Sequence, residues 1–208
     1  MTPTSQTYYY PNRMGRIILS AAEEILGSED IRKLLEHAAL PQFSTAYPPD
    51  DLELNISFDA ISRLQGALDE RYGRSGRGVA LRIGRACFMR GLRDFGPSAG
   101  LTGLDFRLLP LHAKLTAGAN SFASIFNQYT DQRVRVDEDA KRLYWHIERC
   151  PICWERHSSD GCCHLATGLL QEALYWASNG RLFSVEEISC RACGDADCTI
   201  AIDKTPLG

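Results

Sequence analysis

The sequence predicts an α+β fold: a helical N-terminal half packed on a small antiparallel sheet, with a long helix across it. Three observations carry that prediction. Up to about residue 126 the apolar residues recur at helical spacing. Over residues 133–136 and 143–147 the period drops to two, between the polar turns TDQ and DEDAK, as in paired strands. A further helical run over 163–178 and two more strand-like segments, 183–189 and 198–202, then give the order β-β-α-β-β.

Taken in order, residues 1–12 read as an irregular arm bearing Tyr8, Tyr9 and Tyr10. A helix from Asn12 follows from the spacing of Ile17, Ile18, Ala21, Ala22, Ile25 and Leu26, and Gly27 stops it. A second helix runs from Ser28 through Ile31, Leu34, Leu35 and Ala38, ending before Pro41. The stretch QFSTAYPPDDLEL reads as a loop. Residues 57–72 form a third helix with Phe58, Ile61, Leu64, Leu68 and Tyr72 on one face, broken by the glycines at 73–78. A fourth covers 79–95, and after Gly96, Pro97 and Gly100 a helical stretch spans about 104–126. The division expected is an N-terminal helical extension over 1–56 and a ligand-binding domain over 57–208.

Composition narrows the function classes. The 208 residues are 44% hydrophobic and 24% charged, enough to bury a core and too apolar for a disordered chain. Lys and Arg number 23 against 26 Asp and Glu, a net charge of −3, so no basic excess recruits nucleic acid. No apolar run is long enough for membrane insertion, and MTPTSQTYYYPNR lacks the basic and apolar segments of a secretory signal. A soluble, cytoplasmic protein is expected. The sequence holds no phosphate-cradling glycine loop, no GxSxG and no dinucleotide fingerprint, so binding is expected rather than catalysis.

Seven of the eight cysteines fall within residues 150–198. In a reducing compartment such clustering points to a metal site before disulfides. Cys190 ends one expected strand and Cys198 starts the next, so a tight hairpin brings both thiols to one end of the sheet. Glu187 precedes Cys190 by an odd number of residues, so a bulge must turn both toward one ion. Cys163 opens the long helix, where the helix N-terminus favours a thiolate. Cys163, Glu187, Cys190 and Cys198 thus suit one closed tetrahedral zinc site.

The segment CHLATGLLQEALYWASNGRLFSVEEISCRACGDADC resembles the signature of the 4-vinyl-reductase domain family. That family includes phenol-sensing domains of aromatic-responsive activators and is related to core subunits of the TRAPP tethering complex. GRIILSAAEEILG, YPPDDLE, GRGVALRIGRACF and LLPLHAKL are similar to its free-standing hydrocarbon-binding members. The resemblance implies binding of a small hydrophobic or aromatic ligand, and zinc on Cys163, Glu187, Cys190 and Cys198. It also implies two alternatives: a tetrapyrrole-handling or redox factor carrying an iron–sulfur cluster or other thiolate centre, and a dimeric adaptor. Cys150-Pro-Ile-Cys153, Cys162 and Cys193 lie outside the four-ligand pattern. Cys150, Cys153 and Cys193 are the second choice as ligands, and the CxxC reads equally as a buried turn that binds nothing.

Other side chains divide between site and scaffold. His112, Phe122, Phe126, Trp145 and Trp176 are the candidate pocket lining, although aromatic residues at helical spacing are more often plain core. Arg71, Arg74, Arg77, Arg82, Arg85, Arg90 and Arg93 read as a solvated helix face before an anion site. His146 and His164 stand beside the thiols with no decided role, and Cys87 reads as core. The apolar N-terminal helices and the tyrosine arm predict a homodimer through that half.

Overall fold

The computed structural model describes residues 7–207, and the start of the tyrosine arm lies outside them. Its described part is not irregular. Strand β1 (Tyr9–Pro11) pairs antiparallel with β2 (Leu54–Ser57), Tyr10 facing Ile56, with a register shift between Tyr10 and Pro11. Helices α1 (Asn12–Leu26), α2 (Ser28–His37) and the single turn α3 (Gln42–Thr45) lie between these strands. The apolar stripes of α1 and α2 are spent inside the chain: Ala21, Ala22 and Leu34 have no exposed surface. The apolar surface on which a homodimer was expected is therefore already covered.

Ser57 caps α4 (Phe58–Tyr72), its hydroxyl accepting the Ala60 N–H at 3.2 Å. The glycine-rich break is one tight 3₁₀ turn over Gly73–Ser75, after which α5 (Gly76–Phe95) starts earlier than the apolar spacing indicates. The helical stretch after residue 104 is two helices, α6 (Leu104–Leu108) and α7 (Leu111–Tyr129). Pro110 splits them: it has no N–H to donate, and it drives Leu109 into an extended conformation, ψ 141°.

The chain is α+β, as the change of period predicts. Strands β3 (Val134–Glu138) and β4 (Arg142–Ile147) precede α8 (His164–Ala177), and β5 (Val185–Ser189) and β6 (Cys198–Asp203) follow it. They form one antiparallel sheet in the order β3-β4-β6-β5. Helices α5 and α8 cross in backbone contact at Gly84 and Gly168. A Cβ on Gly168 would lie 2.7 Å from the Leu81 carbonyl carbon, and one on Gly84 2.8 Å from the Leu169 nitrogen. Residues on both sides of position 56 share one buried core, from Tyr10, Leu34 and Phe58 to Ile83, Trp145 and Ile200. No helix among the described residues is long and apolar enough to cross a membrane.

Candidate functional site

Helices α1, α5, α7 and α8 and strand β4 line an apolar cavity of about 80 Å³. Phe122 packs against Phe126 at 5.3 Å and Trp145 at 5.6 Å between ring centres, so these rings form one continuous wall. Three side chains bring polar atoms to the lining: Tyr10, Gln132 and Cys87. Tyr10 donates its hydroxyl to Gln132, and burial pushes its ionisation well above the usual phenol range. Burial likewise pushes the Cys87 thiol up to about 12.

Ile17 lines both this cavity and a recess walled by Arg13, Arg16, Arg90 and Arg93 with Asp50 and Asp94. Arg13 meets Asp50 at 2.6 Å, Arg90 meets Glu24 at 2.7 Å, and Arg16 donates to the Pro48 carbonyl at 3.0 Å. The Arg90 Nε is buried without a hydrogen-bond partner among the described residues. Arg93 meets Asp94 at 3.0 Å, so four guanidiniums face three carboxylates, a net positive charge of one at the recess. The sequence did reveal the run containing Arg90 and Arg93. It did not reveal that α1 brings Arg13 and Arg16 to meet them.

Of the expected pocket residues, Phe122, Phe126 and Trp145 line the cavity. Trp176 belongs to a neighbouring space, stacked on Phe106 at 5.7 Å, with Phe88 and Phe122 as the partition. His112 is exposed at the start of α7 and lines neither space.

Beside the apolar cavity, whose lining includes Ile147 and Ile152, six buried thiols meet. Cys150 and Cys153 come from the loop after β4, Cys162 and Cys163 from the approach to α8, Cys190 from the end of β5 and Cys198 from the start of β6. The sulfur separations are 3.4 Å for Cys150–Cys163, 3.3 Å for Cys153–Cys198, 3.6 Å for Cys163–Cys198 and 3.9 Å for Cys162–Cys190. Two four-residue sets converge closely enough for one ion each: Cys163, Glu187, Cys190, Cys198, and Cys150, Cys153, Cys163, Cys198. The sheet register shifts between Glu187 and Ser189, which turns Glu187 and Cys190 to the same side. Glu187 accepts the Cys163 N–H at 2.9 Å through Oε2, while its buried Oε1 has no partner among the described residues. Burial first, and the Cys190 charge second, push its carboxyl up to about 7. Hydrogen bonds from neighbouring thiols, Cys153 foremost, hold Cys190 low, which makes it the readiest thiolate. Cys193 is exposed and outside both sets, so the second choice is corrected there. His146 is occupied by Asp197 at 3.2 Å and Thr199 at 3.0 Å, and His164 joins neither set.

No protein-family model matches the chain, and no curated protein matches it in sequence. Solved structures do match in shape. The Fe(II) unliganded H-NOX protein from K. algicida aligns with TM-score 0.59 at 14% identity, covering 95% of this chain and 97% of its own. An H-NOX protein from S. oneidensis in the Fe(II)NO ligation state gives 0.57 at 12% identity over 93% and 99%. An oxygen-binding H-NOX domain related to soluble guanylate cyclases gives 0.52 at 15% identity over 92% and 94%. The fold is the H-NOX fold.

These neighbours overturn the resemblance to the 4-vinyl-reductase family and what it implied. They are H-NOX domains described in terms of haem, nitric oxide and oxygen, not of hydrocarbons or zinc. Corrected with it are the zinc and iron–sulfur assignments, the small hydrophobic or aromatic partner, the redox or assembly factor built on a thiolate metal centre, and the dimeric adaptor. The physical reason lies in the motif. The motif covers only the start of α8 and the β5–β6 hairpin, a local unit that does not fix the fold around it.

A haem is the group the H-NOX fold brings to mind, and the side chains here admit it on altered terms. None of the five histidines, His37, His112, His146, His157 and His164, lines the cavity. Met14 and Cys87 are the sulfur-bearing residues of the lining, and the Arg90 Nε without a partner among the described residues stands in the adjoining recess.

Proposed function

We propose that this chain is a haem-binding, gas-sensing domain in which Cys87 would hold the iron. The observation that carries the reading is Cys87, set in the wall of an apolar cavity whose neighbouring recess holds an unpartnered Arg90 Nε. A bound haem would supply an iron centre able to take a diatomic gas. The protein's share is binding and exclusion. Phe88, Phe122, Phe126 and Trp145 present apolar faces to a flat macrocycle and keep water out. Arg13, Arg16, Arg90 and Arg93 hold its carboxylates at the surface. Cys87 is neutral when the cavity is empty, because burial raises its thiol to about 12, and would release its proton to solvent on binding a cation. The cytoplasm is the compartment this reading assigns, where Cys87 stays reduced.

Titration of the purified full chain with hemin tests the reading. A Soret shift saturating at one haem per chain supports it, provided that Cys87→Ala changes the spectrum while iron-free protoporphyrin still binds. Absence of a saturable shift refutes haem binding. An unchanged spectrum in Cys87→Ala refutes the axial assignment.

A further inference from the structure

The clustered thiols do not take part in that reading, and their arrangement exceeds the needs of a single ion. The two converging sets have Cys163 and Cys198 in common, and those two sulfurs lie 3.6 Å apart. Cys150 and Cys153 flank the shared pair on one side, at 3.4 and 3.3 Å, and Cys190 with Glu187 flank it on the other. Four sulfurs around one tetrahedral ion with bonds of about 2.3 Å stand about 3.8 Å apart, close to every separation here.

We propose that the buried cluster is a two-cation thiolate centre in which Cys163 and Cys198 bridge a Cys150–Cys153 site and a Cys190–Glu187 site. The cations are thiophilic, as a sulfur-rich donor set selects. Two observations besides proximity point to an occupant. The Glu187 Oε1 is buried and unpartnered among the described residues, the state of a ligand atom awaiting its ion. A Cβ at Gly161 would stand 2.7 Å from the Glu187 Oε2, so the loop passes close over the carboxylate. Bridging also answers a charge problem. Five thiolates and one carboxylate around a single divalent ion would leave four negative charges in a buried site, and a second ion halves that excess. Each thiol gives up one proton to solvent on binding, and no electron is transferred.

Cadmium(II), added to the reduced, chelator-treated full chain under nitrogen, is the probe. The expected result is two cadmium ions per chain, sulfur-to-metal absorption in the ultraviolet, and two ¹¹³Cd resonances coupled through shared sulfurs. Cys150→Ser and Cys190→Ser should each leave one ion, and Cys193→Ser, outside both sets, should leave two. These one-sided variants keep the test decisive if Cys163→Ser fails to fold. One ion per chain, none, or two uncoupled resonances would overturn the proposal, and none of these outcomes bears on Cys87 or haem.

Discussion

Gly168→Ala puts a methyl group where α8 presses on α5. The new Cβ would sit 2.7 Å from the Leu81 carbonyl carbon and 2.8 Å from its Cα, and closer still to the carbonyl oxygen. Carbon contacts settle at about 3.5–4.0 Å, so the helices must part by about 1 Å at the crossing. Backbone cannot swing aside as a side chain can. The cost therefore belongs at the upper end of the overpacking range, about 3 kcal/mol. Replacing glycine inside a helix returns about 1 kcal/mol, which leaves a net loss of about 2 kcal/mol. For a chain of this size that is a fall in Tm of about 4–8 °C, read by calorimetry or circular dichroism. Gly78→Ala is the control: it is exposed on the same helix with nothing within 4 Å of its Cβ, and it should hold or raise the Tm. Gly84→Ala added to Gly168→Ala should cost less than it does alone, since the helices are already apart. A Gly168→Ala protein melting at or above the parent, or a Gly78→Ala protein losing as much, would refute the reasoning.

Two further outcomes can be checked on the apoprotein. The Cys87 thiol ionises near 9.0 in the unfolded chain and about 12 in the fold, so the unfolded state releases its proton first. Its contribution is intact below pH 9 and is lost as pH rises toward about 12, at about 1.4 kcal/mol per unit. Denaturant titrations should show the parent's advantage over Cys87→Ala shrinking across that window, and a constant gap would contradict it. Ser57→Ala removes the 3.2 Å cap on the Ala60 N–H and should cost about 1 kcal/mol, while Ser57→Asp should restore most of it; equal urea midpoints for all three would show that the cap is not stabilising.

The sequence made the helices and the four-stranded sheet legible wherever one face is buried over several turns or alternations, as in α5 or β4. It did not make the β1–β2 pair legible. Tyr9–Pro11 is too short to show a period, and its partner lies more than forty residues away, so only tertiary contact makes it a strand. The break at Pro110 was present in the sequence as a proline in a helical pattern and was overlooked there. Much of the thiol cluster was readable from spacing, including the bulge that Glu187 and Cys190 require. The spacing also admitted Cys150 and Cys153 beside Cys163 and Cys198, and what it could not do was choose between that set and the one with Glu187, since loop paths leave no periodic trace. The cavity wall was readable in Phe122, Phe126 and Trp145. Cys87 was read as core because a buried thiol on an apolar helix face looks the same whether it lines a space or fills one.

The glycine crossing also governs how movement travels. Cys163 stands immediately before α8, and Gly168 lies little more than one helical turn further on, in backbone contact with Leu81. No side chain separates the two helices at that point, so no rotamer change can absorb a displacement along α8. Cys87 and Arg90 stand on the same rod as Leu81, within the following turns of α5. A fraction of an ångström gained or lost at the sulfurs is thus handed on undamped to the cavity wall, and pressure from the cavity returns along the same path. Side-chain packing between helices acts as a spring; this contact acts as a hinge pin.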